Sequence, residues 1–236
     1  MQITTQGRLL PLAAALVLAA APASALSIQY SNGDPSEDFT VTDGGAGDDD
    51  AIAGSINYDS GSSGPLTGWQ LLSTQASSCI AALDCPNLTL SFEANSLGDA
   101  ADLTISVTET DLTLGDALFD FDATLSGFTE GTVSIASYYD PSNTAFGEAV
   151  QIGETFDYDS LDGFTSFSMD DDDVAMGASP FSLTTVINIA HQTGDTQTYG
   201  DSKVAVSAVP VPAALPLLAG ALGVSGVVLR RRRSRD

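Results

Sequence analysis

Apolar and polar residues alternate with period two in five separate stretches, a pattern that suits strands with one buried and one wet face and does not suit amphipathic helices. Leu88, Leu90, Phe92 and Ala94 alternate with Thr89, Ser91 and Glu93, and Leu103, Ile105 and Val107 repeat the pattern. Phe119 and Phe121 alternate with Asp120 and Asp122, Val133 and Ile135 follow, and the longest run reaches from Phe181 to Ile189. Clusters of Gly, Asn, Asp and Ser stand between these runs: Asn32-Gly33-Asp34, residues 44–50, residues 60–64, Gly98-Asp99, Pro141-Ser142-Asn143 and Gly194-Asp195. Such residues supply turn chemistry. No long segment has helical periodicity. About ten short strands with regularly spaced turns predict an all-β, two-sheet β-sandwich of jelly-roll-like type, with a barrel as the less favoured closure.

Two apolar segments stand outside this alternation, one at each end. Residues 1–8 are weakly basic, residues 9–21 are apolar, and Ala23 and Ala25 place small side chains at −3 and −1. This order predicts a signal peptide cut after Ala25 by signal peptidase. At the other end Val209, Pro210, Val211, Pro212 and Ala213 precede an uncharged run over residues 214–229, and then come Arg230, Arg231, Arg232, Arg233 and Arg235. As a transmembrane helix that run would span about 24 Å, short for an anchor but enough for a thin bilayer. Pro216 falls in its first turn, where proline is tolerated. The arginines would hold the C-terminus in the cytoplasm. A GPI signal is disfavoured, because its apolar tail ends the chain without a basic cluster. The chain thus divides into a signal peptide (1–25), an acidic β-sandwich domain (26–206) and a C-terminal signal (207–236).

The sequence Val209-Pro210-Val211-Pro212-Ala213, its apolar run and its basic stop together resemble the sorting tail of PEP-CTERM proteins of Gram-negative bacteria, in the VPLPA-CTERM variant. Val211 stands where that variant usually has leucine. The resemblance implies recognition by an exosortase-type membrane enzyme, transient residence in the inner membrane, and delivery to the cell surface or the extracellular matrix. It also implies a link to exopolysaccharide and biofilm. An ordinary single-pass anchor is the alternative. Within the body, residues 43–48, Gly54-Ser55-Ile56, residues 103–110, 131–138 and 179–184 resemble exported β-proteins of the same family. That likeness implies an exported sandwich and no particular chemistry.

Charge narrows the function classes. Of 31 acidic residues all but Asp236 fall between residues 26 and 208, whereas of seven Lys and Arg only Lys203 does, so the body carries about 29 net negative charges. Nucleic acid and anionic membrane surfaces would be repelled. Two readings stay open for the acids, solubility in a salty medium and binding of a divalent cation. Calcium is the candidate cation, with Asp43, Asp48, Asp49 and Asp50 as oxygen ligands in a glycine-rich loop. The loop fits one copy of the G-G-x-G-x-D nonapeptide, and a β-roll needs tandem copies. Asp170 to Asp173 read as a solvated loop, and Asp157, Asp159 and Asp162 lose the EF-hand register at Leu161.

Cys79 and Cys85 are the only cysteines, and export predicts that they pair in a disulfide closing a small loop. Two thiols and one distant histidine do not make a zinc site. That histidine, His191, ends an apolar run and reads as a satisfied strand residue rather than a general base. There is no G-x-S-x-G elbow, H-E-x-x-H pair or phosphate loop, so the chain does not read as an enzyme. Trp69, Tyr138 and Tyr139 are the aromatic candidates for carbohydrate. One of the adjacent tyrosines must face outward, whereas Trp69 suits either a loop-side sugar platform or the core. The main expectation is a non-catalytic structural protein of a biofilm or exopolysaccharide matrix. The alternative is a calcium-dependent, lectin-like carbohydrate-binding module, and a polysaccharide hydrolase ranks lowest.

Overall fold

A computed structural model of the chain describes residues 25–61, 64–78, 86–98, 102–115, 118–160 and 163–209. The signal-peptide residue Ala23, the cysteines Cys79 and Cys85, the sorting residues from Pro210 onward and the tail arginines lie outside the described residues. Twelve strands make up the described structure: β1 (Leu26–Ser31), β2 (Phe39–Thr42), β3 (Ser55–Tyr58), β4 (Trp69–Ser78), β5 (Asn87–Ser96), β6 (Leu103–Leu112), β7 (Leu118–Thr129), β8 (Thr132–Asp140), β9 (Val150–Asp159), β10 (Thr165–Met176), β11 (Phe181–Ala190) and β12 (Gln197–Ala208). They form two six-stranded antiparallel sheets, ordered β2-β1-β6-β11-β8-β9 and β10-β7-β12-β5-β4-β3. Strands β5 to β12 alone give β6-β11-β8-β9 facing β5-β12-β7-β10, the strand order of a jelly roll. Strands β1 and β2 extend the first sheet beside β6, and β3 and β4 extend the second beside β5.

The alternating runs become the inner faces. From the first sheet Leu26, Ile28, Tyr30, Ile105, Val107, Ile135, Ile187 and Ile189 are buried, and from the second Leu88, Leu90, Phe92, Phe119, Phe121, Leu125, Val204 and Val206. Phe119, Phe121, Tyr139 and Phe181 form an aromatic centre with ring centroids 5.2–6.2 Å apart. Rings at such spacing add edge and offset contacts to the area they bury.

Two features depart from the sequence reading. Asp170 to Asp173 are not a loop but the middle of β10, paired along its whole length with β7. Period two then sends Asp170 and Asp172 to the solvent face, while Asp171 and Asp173 turn toward β9. There the amide of Glu154 donates to Asp171 Oδ2 (2.8 Å) and that of Gly153 to Asp173 Oδ2 (3.2 Å). These carboxylates cap the amides of one edge strand from the other. Strand β4 carries the second departure, a bulge between Leu71 and Ser73. Before it Trp69 and Leu71 face inward; after it Thr74, Ala76 and Ser78 do, so Ser73 is turned outward.

Candidate functional site

The two outer faces of the sandwich differ. On the first sheet the connection after β8 folds over the face. Asn143 donates through Nδ2 to Asp111 Oδ1 (2.8 Å) and accepts the Asp111 amide at Oδ1 (2.7 Å). The Phe146 amide donates to Thr108 Oγ1 (3.1 Å), and Ser182 Oγ donates to the Thr144 carbonyl (2.7 Å). Thr108, Ser182 and Thr184 are buried beneath it. The second sheet has an open outer face, and there three aromatic rings gather.

Strand phase explains which rings these are. Phe119, Phe121, Ala123 and Leu125 set the inward phase of β7, so Phe128 points out; Val204 and Val206 set that of β12, so Tyr199 points out. Antiparallel register puts Tyr199 directly opposite Phe128. Phe164 joins them from the connection before β10, where Thr165 Oγ1 donates to the Gly163 carbonyl (3.1 Å). Phe128 and Phe164 stack at 5.4 Å with planes 15° apart, and Tyr199 lies 5.3 Å from Phe128 and 5.6 Å from Phe164. Phe128 is 38% and Phe164 46% exposed, a large apolar area to leave in water without a partner.

A cleft of about 310 Å³ opens beside Tyr199, lined among others by Ser73, Ser91, Glu93, Gln197 and Asp201. Tyr199 stands opposite Glu93 on β5, and Glu93 opposite Ser73 on β4. Phe128, Tyr199, Glu93 and Ser73 therefore form one row across four strands, and the bulge of β4 supplies its last member. Gln197 Nε2 donates to Glu93 Oε1, and Ser91 Oγ donates to Asp201 Oδ1. The polar side chains are thus held in pairs before any ligand arrives. Tyr199 is tilted 39° from Phe128 and 51° from Phe164, so it presents its own face beside fixed hydroxyl, amide and carboxylate groups, and such a face can stack on a ring whose edge those groups hydrogen-bond.

The residues singled out from sequence fall elsewhere. Trp69 is 1% exposed, packed 5.0 Å from the His191 ring, so it belongs to the core and cannot stack on a ligand. Tyr139 is equally buried, with its hydroxyl accepting the Ala178 amide (2.7 Å). Its neighbour Tyr138 is the outward member, on the first sheet and away from the cleft. His191 is buried with both nitrogens engaged, Nδ1 with Ser96 Oγ (3.0 Å) and Nε2 with Thr198 Oγ1 (2.7 Å). Burial pulls its pKa from the ordinary 6.5 to about 4, with Glu130 acting in the opposite sense.

The calcium candidates serve their own loop. Asp48 accepts the Gly44 amide at Oδ2 (2.8 Å), and at Oδ1 the amides of Asp50 (2.9 Å) and Asn57 (3.1 Å). Asp43 accepts the Gly54 amide (2.6 Å), and Asp50 accepts the Ile52 amide (3.0 Å) and the Ser55 hydroxyl (2.7 Å). Asp49 is exposed, and its amide donates to the Asn57 carbonyl (2.9 Å). Among the described residues the carboxylates that do converge, within 4.8 Å, are Asp122, Asp170 and Asp172. All three are exposed, and they stand about six residue pairs from Tyr199 along the strands, about 20 Å away.

Nothing in the sequence reading pointed to Phe128, Phe164, Tyr199, Glu93 or Asp201 as a group. They are scattered over a hundred positions, and only register assembles them. The signal available was phase: Phe128 and Tyr199 are aromatics at the wet positions of their strands.

No protein-family model matches the chain, and neither does any curated protein sequence. Solved structures give shallow likenesses. The enzymatically active domain of the Bacteriophage CBA120 tailspike protein 4 aligns over 61% of this chain at 13% identity and a TM-score of 0.28; this chain spans only 20% of that one. TmCBM61, solved in complex with β-1,4-galactotriose, aligns over 61% of this chain and 90% of its own at 6% identity and a TM-score of 0.30. The cleaved adhesin domain of Lys-gingipain from Porphyromonas gingivalis aligns over 65% and 99% at 13% identity and a TM-score of 0.33.

Proposed function

We propose that this chain is an exported, non-catalytic protein of the cell surface or extracellular matrix whose sandwich binds polysaccharide on the outer face of the second sheet. The observation that carries the reading is the row Phe128, Tyr199, Glu93 and Ser73, which sets an exposed aromatic platform against a polar cleft. Pyranose rings present apolar C–H faces and hydroxyl edges, and this row offers a partner for each. Stacking on an aromatic ring recovers apolar area, while the carboxylates and amides fix orientation. The reading invokes no cation, since the row and its cleft are built from aromatic rings and from side chains paired with one another. A matrix role fits the same protein, because a secreted module that grips exopolysaccharide is also a structural component of that matrix.

The experiment is affinity electrophoresis of the purified protein through gels containing β-glucan, galactan or xylan. Retardation by at least one polysaccharide, lost in Tyr199→Ala and in Phe128→Ala at unchanged melting temperature, is the expected result. Retardation that survives both substitutions would place binding elsewhere, and no retardation in any gel would return the protein to a purely structural role.

Export and sorting belong to the same proposal. Residues 1–25 direct export, and the tail from Val209 is read by an exosortase-type enzyme while the apolar run holds the precursor in the inner membrane. Replacing Pro210 and Pro212 with alanine is expected to leave full-length protein in that membrane. Unchanged mass and surface delivery would reduce the tail to an anchor.

A further inference from the structure

We infer that this face takes an uncharged glycan chain laid across the strands and turns away polysaccharides bearing uronate or sulfate groups. The inference rests on the glycan reading above and deepens it. Its direction comes from register. Phe128, Tyr199, Glu93 and Ser73 face one another across β7, β12, β5 and β4, a row about 14 Å long at ordinary strand spacing. A linear glycan on that row stacks one ring on Tyr199, with Phe128 tilted beside it, and sets the next ones in the cleft.

Its charge selectivity comes from the donors and acceptors already committed. Gln197 spends an amide N–H on Glu93, and Ser91 spends its hydroxyl on Asp201. Each carboxylate is acceptor-only and has capacity for more than one hydrogen bond, so what these two carboxylates still take is donors. Sugar hydroxyls supply donors without charge. Both carboxylates accept from neutral groups, and no lysine or arginine lines the cleft. Lys203, the one lysine of the body, stands two residues past Asp201 on β12. A ligand carboxylate or sulfate would therefore meet two negative charges of the cleft, within a body whose whole field repels it. A cationic glycan would be drawn to the acids of this face in general, including Asp120, Asp122, Asp170 and Asp172, and would gain nothing special from the aromatic row.

The test is calorimetric titration of the full chain with cellohexaose, xylohexaose and β-1,4-galactohexaose on one side, and with hexamers of galacturonate and mannuronate on the other. At least one neutral hexaose is expected to bind, with affinity insensitive to salt and lost in Tyr199→Ala. Both uronate hexamers are expected to bind at least about tenfold more weakly. In the double variant Glu93→Gln with Asp201→Asn, neutral affinity should fall a few fold while the uronates gain, so the gap closes. The inference fails if a uronate hexamer binds the wild type as tightly as the neutral ones, or if the double variant leaves the gap intact; either result leaves the glycan reading standing. If no hexaose of either kind binds, the glycan reading itself fails and takes the inference with it.

Discussion

His191 is held neutral in the fold by burial, between Ser96 and Thr198 with Trp69 alongside. The unfolded chain binds a proton there near pH 6.5, whereas the folded chain does so only near pH 4. Unfolded molecules thus carry more protons across that window, so stability is full above pH 6.5 and declines as pH falls toward 4. A His191→Gln variant, able to keep one of the two hydrogen bonds, should lose this slope between pH 6.5 and 4 in melting experiments. An unchanged slope would assign the acid sensitivity to carboxylates instead. Asp48 makes a second case at this scale, since one side chain accepts three loop amides. Asp48→Ala should cost about 1–2 kcal/mol, while Asp49→Ala should cost little, a difference that denaturant titration would read. A chelator should leave the melting temperature unchanged, because the loop closes on its own carboxylates.

At the scale of elements, β7 and β12 approach so closely that one pair of facing residues has no side chains. Gly127 stands opposite Gly200, and a Cβ at Gly127 would lie 2.2 Å from the Tyr199 carbonyl oxygen, 2.6 Å from Phe167 Cζ and 2.8 Å from Gly200 Cα. Gly127→Ala must therefore push the strands apart beside the aromatic row. It should cost about 1–3 kcal/mol and weaken polysaccharide retardation in gels, whereas Ser126→Ala, one position along, should do neither. Elements were also where the sequence was most and least legible. Five alternating runs are the inner halves of β5, β6, β7, β8 and β11, and the predicted turns lie between strands. Strand β4 was not legible because its bulge at Leu72 breaks the alternation, and β10 was not because four aspartates occupy its middle. Edge pairing and outward phase make an acidic run a strand, and neither is visible in composition. The candidate site was hidden for a related reason: Trp69 drew notice by rarity, whereas Phe128 and Tyr199 matter by phase.

For the whole molecule, the arrangement of the aromatic row and the tail gives the charge a setting. Tyr199 is near the start of β12, and the chain leaves that strand after Ala208, about 30 Å away, where the Val209 amide donates to the Leu118 carbonyl (2.8 Å). A precursor held by residues beyond Val209 would present the aromatic row at the end of the sheet far from its attachment. Across the same face lie Asp120, Asp122, Asp170, Asp172 and Asp201, part of a body with about 29 net negative charges and a single lysine. Repulsion among exposed carboxylates acts over the Debye length, about 30 Å at 0.01 M salt and about 3 Å at 1 M. The melting temperature should therefore rise steadily from low salt toward 1 M sodium chloride, and it should rise equally in Tyr199→Ala, which changes no charge. Binding of a neutral glycan should stay level over the same range, because stacking and hydroxyl donation involve no net ionic attraction. A melting temperature that falls with salt would mean that attractive pairs, Lys203 among them, outweigh repulsion. A glycan affinity that falls with salt would mean that charge, rather than the aromatic row, holds the ligand.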